Sequence, residues 1–290
     1  MHKKLLMFIL IAVLVGGGFF ITPLTGDYAA ASDYANDKAV VDVAHVAEGY
    51  LSVTYTGGKS VKIKVQISNG ASSTTYTYDL NNEGRAEAFP LSQGDGTYNV
   101  RIFENVSGTK YSQAFACKVN VALNNQFSPF LNPNQYVNFT PESQVVAVAE
   151  EITAASPSDF ETLKIVYYYM IDNFVYDYDR AATVKSGYLP VVDSVLAEKK
   201  GICFDYSAVM CSMLRSQGVP CKLVIGYAGD IYHAWINAYL PDVGWIDHAI
   251  YFDGQNWSLM DPTFASGSRS ASGGYTVTPD QINYSMKYAY

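Results

Sequence analysis

Gly201-Ile202-Cys203-Phe204-Asp205-Tyr206-Ser207-Ala208-Val209-Met210-Cys211-Ser212-Met213-Leu214-Arg215-Ser216-Gln217-Gly218-Val219-Pro220 is the stretch that organises the C-terminal half of this chain. Tyr206, Val209, Met210, Met213 and Leu214 recur at the spacing of one buried helical stripe. Gly218 is placed to stop the helix, and Pro220 prevents its continuation. Cys203 therefore stands at the first turn. There the backbone N–H groups lack helical partners and the helix dipole favours a thiolate. The same N–H groups can donate to a developing oxyanion.

Working outward, residues 221–226 read as a strand and Ala228-Gly229-Asp230 as a turn. Residues 231–240 form a second strand, on which His233, Trp235, Asn237 and Tyr239 share one face. A third strand is expected over 245–252, a hairpin turn at Asp253-Gly254, and a fourth strand over 257–260. Ser266 to Gly274 is rich in Ser and Gly and reads as flexible. Asp261 precedes Pro262, which holds it extended. A thiol, an imidazole and a carboxylate follow in that order. They supply the nucleophile, base and orienting acid that thiol-based acyl transfer needs. Each has a plain packing alternative: a buried cysteine, a satisfied structural histidine, a turn-forming Asp-Pro. The joint pattern is what points to chemistry. His248 is the one rival base in this region.

Upstream, residues 41–122 alternate with period two between turn signals. The clearest run is Val61-Lys62-Ile63-Lys64-Val65-Gln66-Ile67. Several short strands at this spacing predict an all-β, sandwich-like domain of immunoglobulin size. Asn and Pro at high density make residues 123–138 a linker, so residues 139–290 are expected to fold as a separate domain. Thr140 and Pro141 read as the N-cap and first position of a helix running to about 154. Ser156 or Ser158 caps the next, whose apolar positions are Leu163, Val166, Tyr167, Met170 and Ile171.

The N-terminus reads as an export signal over residues 1–31. His2-Lys3-Lys4 is basic, residues 5–21 are apolar, and Ala29-Ala30-Ala31 offers a cleavage pattern. The expected location is therefore secreted or at the cell surface. Contact with a membrane would come only through this segment left uncleaved. The formal net charge of −8 and the absence of a basic patch argue against a nucleic-acid partner. Of the four cysteines, Cys203 and Cys211 lie about 12 Å apart along one helix, too far to pair. Cys211 with Cys221 is left open. No C-x-x-C, His-rich pair or EF-hand pattern is present, so no metal and no cofactor are expected.

The stretches Gly201 to Ser207, Leu214 to Lys222, Gly226-Tyr227, His233-Ala234-Trp235, Gly244-Trp245 and Asp261-Pro262-Thr263 together resemble the bacterial transglutaminase-like superfamily, over roughly residues 160–265. Tyr176-Asp177-Tyr178-Asp179 also resembles the segment that precedes the cysteine in such domains. The resemblance implies an α+β, papain-like core, a helix packed on an antiparallel sheet, here preceded by the all-β domain. It implies a Cys-His-Asp triad, carried onto Cys203, His233 and Asp261. It also implies a second oxyanion donor, for which the chain offers Tyr176, Tyr178 and Tyr188; Trp235 is a candidate wall of the site. The implied activity is that of a thiol enzyme acting on amide or peptide carbonyls of a protein or peptide, cell-wall associated or not. Hydrolysis or deamidation is favoured over cross-linking, because no amine-binding feature is legible. Alternatives are a protein cross-linking transglutaminase and a non-catalytic surface binding module that retains the fold.

Overall fold

The alternating segments of the N-terminal half form two four-stranded antiparallel sheets. A computed structural model describes residues 33–247, 250–252, 257–259 and 283–290. One sheet contains β1 (Tyr34–Ala35), β2 (Ala39–Asp42), β3 (Tyr50–Tyr55) and β6 (Glu87–Pro90), in the order β1-β2-β3-β6. The other contains β4 (Ile63–Asn69), β5 (Tyr76–Leu80), β7 (Gly96–Ser107) and β8 (Lys110–Val121), in the order β5-β4-β7-β8. Leu51, Val53 and Tyr55 of β3 share a buried cluster with Ile63, Val65 and Ile67 of β4 and with Val100 and Ile102 of β7. The period-two pattern is thus the inner face of a sandwich. The strands begin at Tyr34, before the expected start at 41, because β2 pairs with β3 from Ala39 opposite Tyr55 to Asp42 opposite Ser52.

One charge is folded into this layer. Glu104 of β7 is 3% exposed. It accepts from the Tyr55 hydroxyl at 2.7 Å and from the Lys59 and Lys38 ammonium groups at 2.8 and 3.3 Å. These donors, Lys59 first, hold its carboxyl at about 2, against an ordinary 4.5. The folded value is the lower one. The stabilisation is therefore complete above about pH 4.5 and is lost as the pH falls towards about 2. Glu104→Gln is expected to lower the melting temperature by roughly 3–10 °C at pH 7, with the gap to wild type closing below about pH 4. Melting curves at the two pH values check this. A gap that persists at low pH would mean that lost packing, not charge, is responsible.

The helical layer follows. α1 (Gln144–Thr153) starts three residues later than the Thr140-Pro141 signal predicts. Its N-terminus is satisfied from a distance: the Asp193 carboxylate accepts from the N–H groups of Gln144 and Val145 at 3.0 and 2.9 Å. α2 (Asp159–Asn173) is capped by Ser158, whose hydroxyl accepts from the Glu161 N–H, and it buries Leu163, Val166, Tyr167, Met170 and Ile171. β9 (Val175–Tyr176), α3 (Tyr178–Thr183), α4 (Val192–Glu198) and β10 (Lys200–Gly201) lead into α5 (Cys203–Ser216). The helical stripe of α5 is buried throughout, and Gly218 takes the left-handed φ of 78° that ends it.

α5 packs against β11 (Cys221–Ala228) and β12 (Ile231–Leu240). Their sheet is ordered β13-β12-β11-β16, where β13 is Gly244–Ile246 and β16 is Tyr284–Ala289. The strand expected over 245–252 is instead two short ones. β13 pairs with β12, while β14 (Ile250–Phe252) pairs with β15 (Trp257–Leu259). β16 carries no sequence signal of its own, yet it lies antiparallel to β11.

The expected linker, residues 123–138, is packed: Phe130 and Val137 are buried. Tyr136 stacks edge-on to Phe204 at 5.4 Å and to Tyr290 at 4.4 Å. Tyr76 and Tyr78 of the sandwich reach the same Tyr290 at 5.3 and 5.8 Å. Buried Arg215 of α5 donates to the carbonyls of Cys221, Asn132 and Tyr290 at 2.9, 2.7 and 2.7 Å. The described residues from 33 onward accordingly form one compact unit with a continuous core.

Candidate active site

Four segments converge just ahead of Cys203. β9 runs parallel to β10, placing Tyr176 opposite Gly201. The Asp177 side chain caps α3 by accepting from the Arg180 N–H at 3.0 Å. Arg180 then reaches Glu198 of α4 at 2.9 Å and Asp205 of α5 at 3.2 Å. Asp205 is completely buried. It accepts from the Tyr188 hydroxyl at 2.6 Å, from Arg180, and from the Ile202 N–H at 2.8 Å. Gly201 is required here, since a Cβ on it would lie 2.6 Å from the Asp205 Cβ.

The consequence is a rigidly set helix start. A carboxylate three residues into a helix that reaches back to the N-cap N–H stabilises the first turn. Here the same carboxylate also anchors that turn to α3 and α4. Cys203 is half-buried at the first helical position, and its carbonyl accepts from the Ser207 hydroxyl at 2.9 Å. The backbone N–H groups of Cys203 and Phe204 lie in the turn that has no helical acceptors.

His233 lies on β12, against which α5 packs, and is 5% exposed. Its ring stacks on Trp235, two residues along, at 6.3 Å and 23°. Trp235 is 2% exposed and meets Tyr284 of β16 edge-on at 5.2 Å. Opposite His233 on β11 is Gly226, where a Cβ would come within 2.1 Å of the Ser285 carbonyl oxygen and 2.8 Å of the Trp235 ring. The start of β12 is also near the cysteine. Burial raises the Tyr232 hydroxyl above its ordinary value, and Tyr288, Tyr227 and Cys203 add to the effect.

The tyrosines expected as oxyanion donors are placed very differently. Tyr188 gives its O–H to Asp205 and so supports the helix start. Burial, and then Asp205, raise its hydroxyl well above the ordinary value. Tyr178 is 67% exposed at the start of α3, its ring at 5.0 Å from that of Tyr176. Tyr176 is the member of the three that the β9–β10 ladder sets beside Gly201. Asp261 and His248 lie outside the described residues. Among the described residues, no group of three or more His, Cys, Asp and Glu side chains is placed to hold a metal ion.

Asp205 and Arg180 were not legible as site residues. The signal for Asp205 is an acid three positions after the residue preceding the helix. It is obscured because that residue is Ile202 and not the Ser or Thr of the usual reciprocal cap.

Residues 146–262, which include Cys203 and His233, match the profile of the transglutaminase-like superfamily. The chain is similar to the protein YebA of Bacillus subtilis, 24% identical over 241 residues, covering 76% of this chain and 31% of that one. It is also similar to a protein-glutamine gamma-glutamyltransferase of Pseudomonas aeruginosa, 25% identical over 130 residues, covering 40% of this chain and 16% of that one. The chain thus spans a third or less of the length of these two relatives. Among solved structures, the periplasmic domain of TgpA from Pseudomonas aeruginosa aligns with a TM-score of 0.34 and 15% identity, over 80% of this chain and 95% of that one.

Proposed function

We propose that this protein is an extracytoplasmic thiol enzyme that cleaves amide bonds of proteins or peptides through a thioester on Cys203. The observation that carries the reading is Cys203 at the first position of α5, a helix packed on the strand that bears His233. Support for the chemistry also comes from the superfamily, whose members are in general cysteine-dependent enzymes.

In this reading the Cys203 thiolate attacks the carbonyl carbon. The oxyanion is met by the Cys203 N–H and by the Tyr176 hydroxyl. His233 protonates the leaving amine or ammonia, which departs as the carbonyl re-forms and leaves a thioester. His233 then takes a proton from water, and hydroxide displaces Cys203. Transfer to an amine differs in the second acceptor alone. Water is far more abundant, and no feature of the described residues selects an amine, so hydrolysis or deamidation is the expected outcome. The named activity of the Pseudomonas relative is the specific ground for amine transfer as the second reading.

The test is incubation of the full chain with a glutamine-containing peptide, with and without excess primary amine. Ammonia with a glutamate product supports hydrolysis. An amine-substituted product replaces it with transfer. No product and no acyl adduct on Cys203 would leave a non-catalytic module.

Two variants probe the supporting groups. Asp261→Asn keeps the size of the side chain but loses the charge that stabilises imidazolium. Turnover should fall roughly 10- to 1000-fold with KM little changed. Wild-type turnover would reduce Asp261 to a turn residue. Tyr188→Phe removes one donor from Asp205 and should cost roughly 1–2 kcal/mol of stability with less than about tenfold in rate. A loss of about 10²- to 10³-fold without a change in stability would instead make Tyr188 an oxyanion donor.

A further inference from the structure

We propose that Cys211 and Cys221 are joined by a disulfide bond that staples the helix carrying Cys203 to β11, the neighbour of the strand carrying His233. Their sulfur atoms lie 3.0 Å apart, and both residues are completely buried. That separation is about 1 Å longer than the roughly 2.05 Å of a disulfide bond, so a closure of about 1 Å between the two sulfur atoms would complete it. The two residues are only ten positions apart, on either side of the turn at Gly218. The bond would therefore cross the junction between helix and sheet.

The other two cysteines are placed away from this pair. Cys117 is on β8 in the sandwich and Cys203 is at the start of α5, about two turns before Cys211. An exported thiol enzyme has to keep its nucleophile out of disulfides while its other thiols are exposed to oxidants. Pairing Cys211 with Cys221 removes the two thiols nearest in sequence that could exchange with Cys203. Burial, and then Cys211, hold the Cys221 thiol well above its ordinary value. In the closed core a reduced pair would exchange slowly, which assigns bond formation to the folding stage.

The step balances with a small disulfide as oxidant. A thiolate of one cysteine attacks oxidised glutathione and releases one glutathione thiolate. The second cysteine then attacks the mixed disulfide and releases the other. Two protein thiols lose two protons and two electrons, and one oxidised glutathione becomes two reduced molecules.

The full chain, reduced and unfolded, is refolded in a glutathione redox buffer, unfolded again without reductant, alkylated with iodoacetamide and digested with trypsin. Cleavage after Lys200, Arg215 and Lys222 puts Cys203 and Cys211 on residues 201–215 and Cys221 on residues 216–222. The expected product is these two peptides linked through Cys211, with Cys203 alkylated, and separated by reduction. Recovery of both peptides unlinked and alkylated at Cys211 and Cys221 would overturn the proposal, as would a link through Cys203. The oxidised protein should also melt about 5–10 °C above its reduced form. Cys221→Ala should melt near the reduced form and ignore reductant. Equal melting of oxidised and reduced wild type would deny the staple its role. None of these readouts depends on Cys203 being catalytic, so this proposal and the proposed activity fail separately.

Discussion

Cys203→Ala is expected to abolish acyl-enzyme formation, and with it all measurable turnover, while leaving the melting temperature within a few degrees of wild type. The thiol is the bonding atom of the thioester, so no neighbouring group can replace it. The fold should survive because Cys203 is half-buried and the first turn of α5 is held by other atoms. Asp205 keeps its bonds to Ile202, Tyr188 and Arg180, and none of these passes through sulfur. Ala is also a strong helix former at an early helical position. The measurement is mass spectrometry after reaction with an electrophilic amide probe, beside a melting curve. A single acyl adduct should appear on wild type and be absent from the variant. Labelling at Cys117 in the variant alone would indicate adventitious chemistry at a half-buried thiol. Unchanged turnover in Cys203→Ala would remove the thioester, and the proposed function with it.

The parts of this architecture that were legible in the sequence share a physical character. Their determinants are local. The stripe from Tyr206 to Leu214 fixes α5, and Gly218 with Pro220 ends it, because helix periodicity and backbone φ preference act over a few residues. Val61 to Ile67 reads as a strand for the same reason. What was not legible is set by partners far along the chain. β16 shows little buried alternation and owes its state to the ladder with β11, from Ala289 opposite Val224 to Tyr284 opposite Ala228. The start of α1 is fixed by Asp193, 49 positions away. The expected linker gained its order from Tyr136, whose aromatic partners include Tyr78, Phe204 and Tyr290.

The candidate site divides along the same line. The placement of Cys203 at a helix start and of His233 on a strand was legible because it follows from local periodicity and turn residues. The group that sets the helix start was not. Asp205 acts only when Tyr188, Arg180 and Glu198 arrive from three other segments. A tyrosine hydroxyl can serve an oxyanion or a carboxylate equally well, and spacing alone does not distinguish the two. The network also explains a cost in the sequence: a fully buried carboxylate is tolerated only when hydrogen-bonded and paired, and here it has both.

His233→Ala is the second large effect expected, a loss of about 10²-fold or more in turnover with substrate binding little changed. The imidazole has two tasks in the proposed reaction. It accepts the thiol proton before attack and returns a proton to the leaving amine. Removing it leaves a thiol that must ionise unaided and an amine that must depart as a poor leaving group. The variant should still fold, because the walls of the position are independent of the ring. Gly226 opposite has no side chain to collapse, and Trp235 is held by Tyr284 from the other side. The substitution therefore leaves a space beside Trp235. Added free imidazole should partly restore the rate by occupying it, a response that a purely structural histidine would not give. His248→Ala, by contrast, should retain most of the rate. Turnover of the two variants, measured with and without imidazole and alongside binding of a non-cleavable peptide, decides the assignment. A large loss in His248→Ala with His233→Ala near wild type would move the base off β12. In that case the stacking of His233 on Trp235 at 6.3 Å would be packing alone.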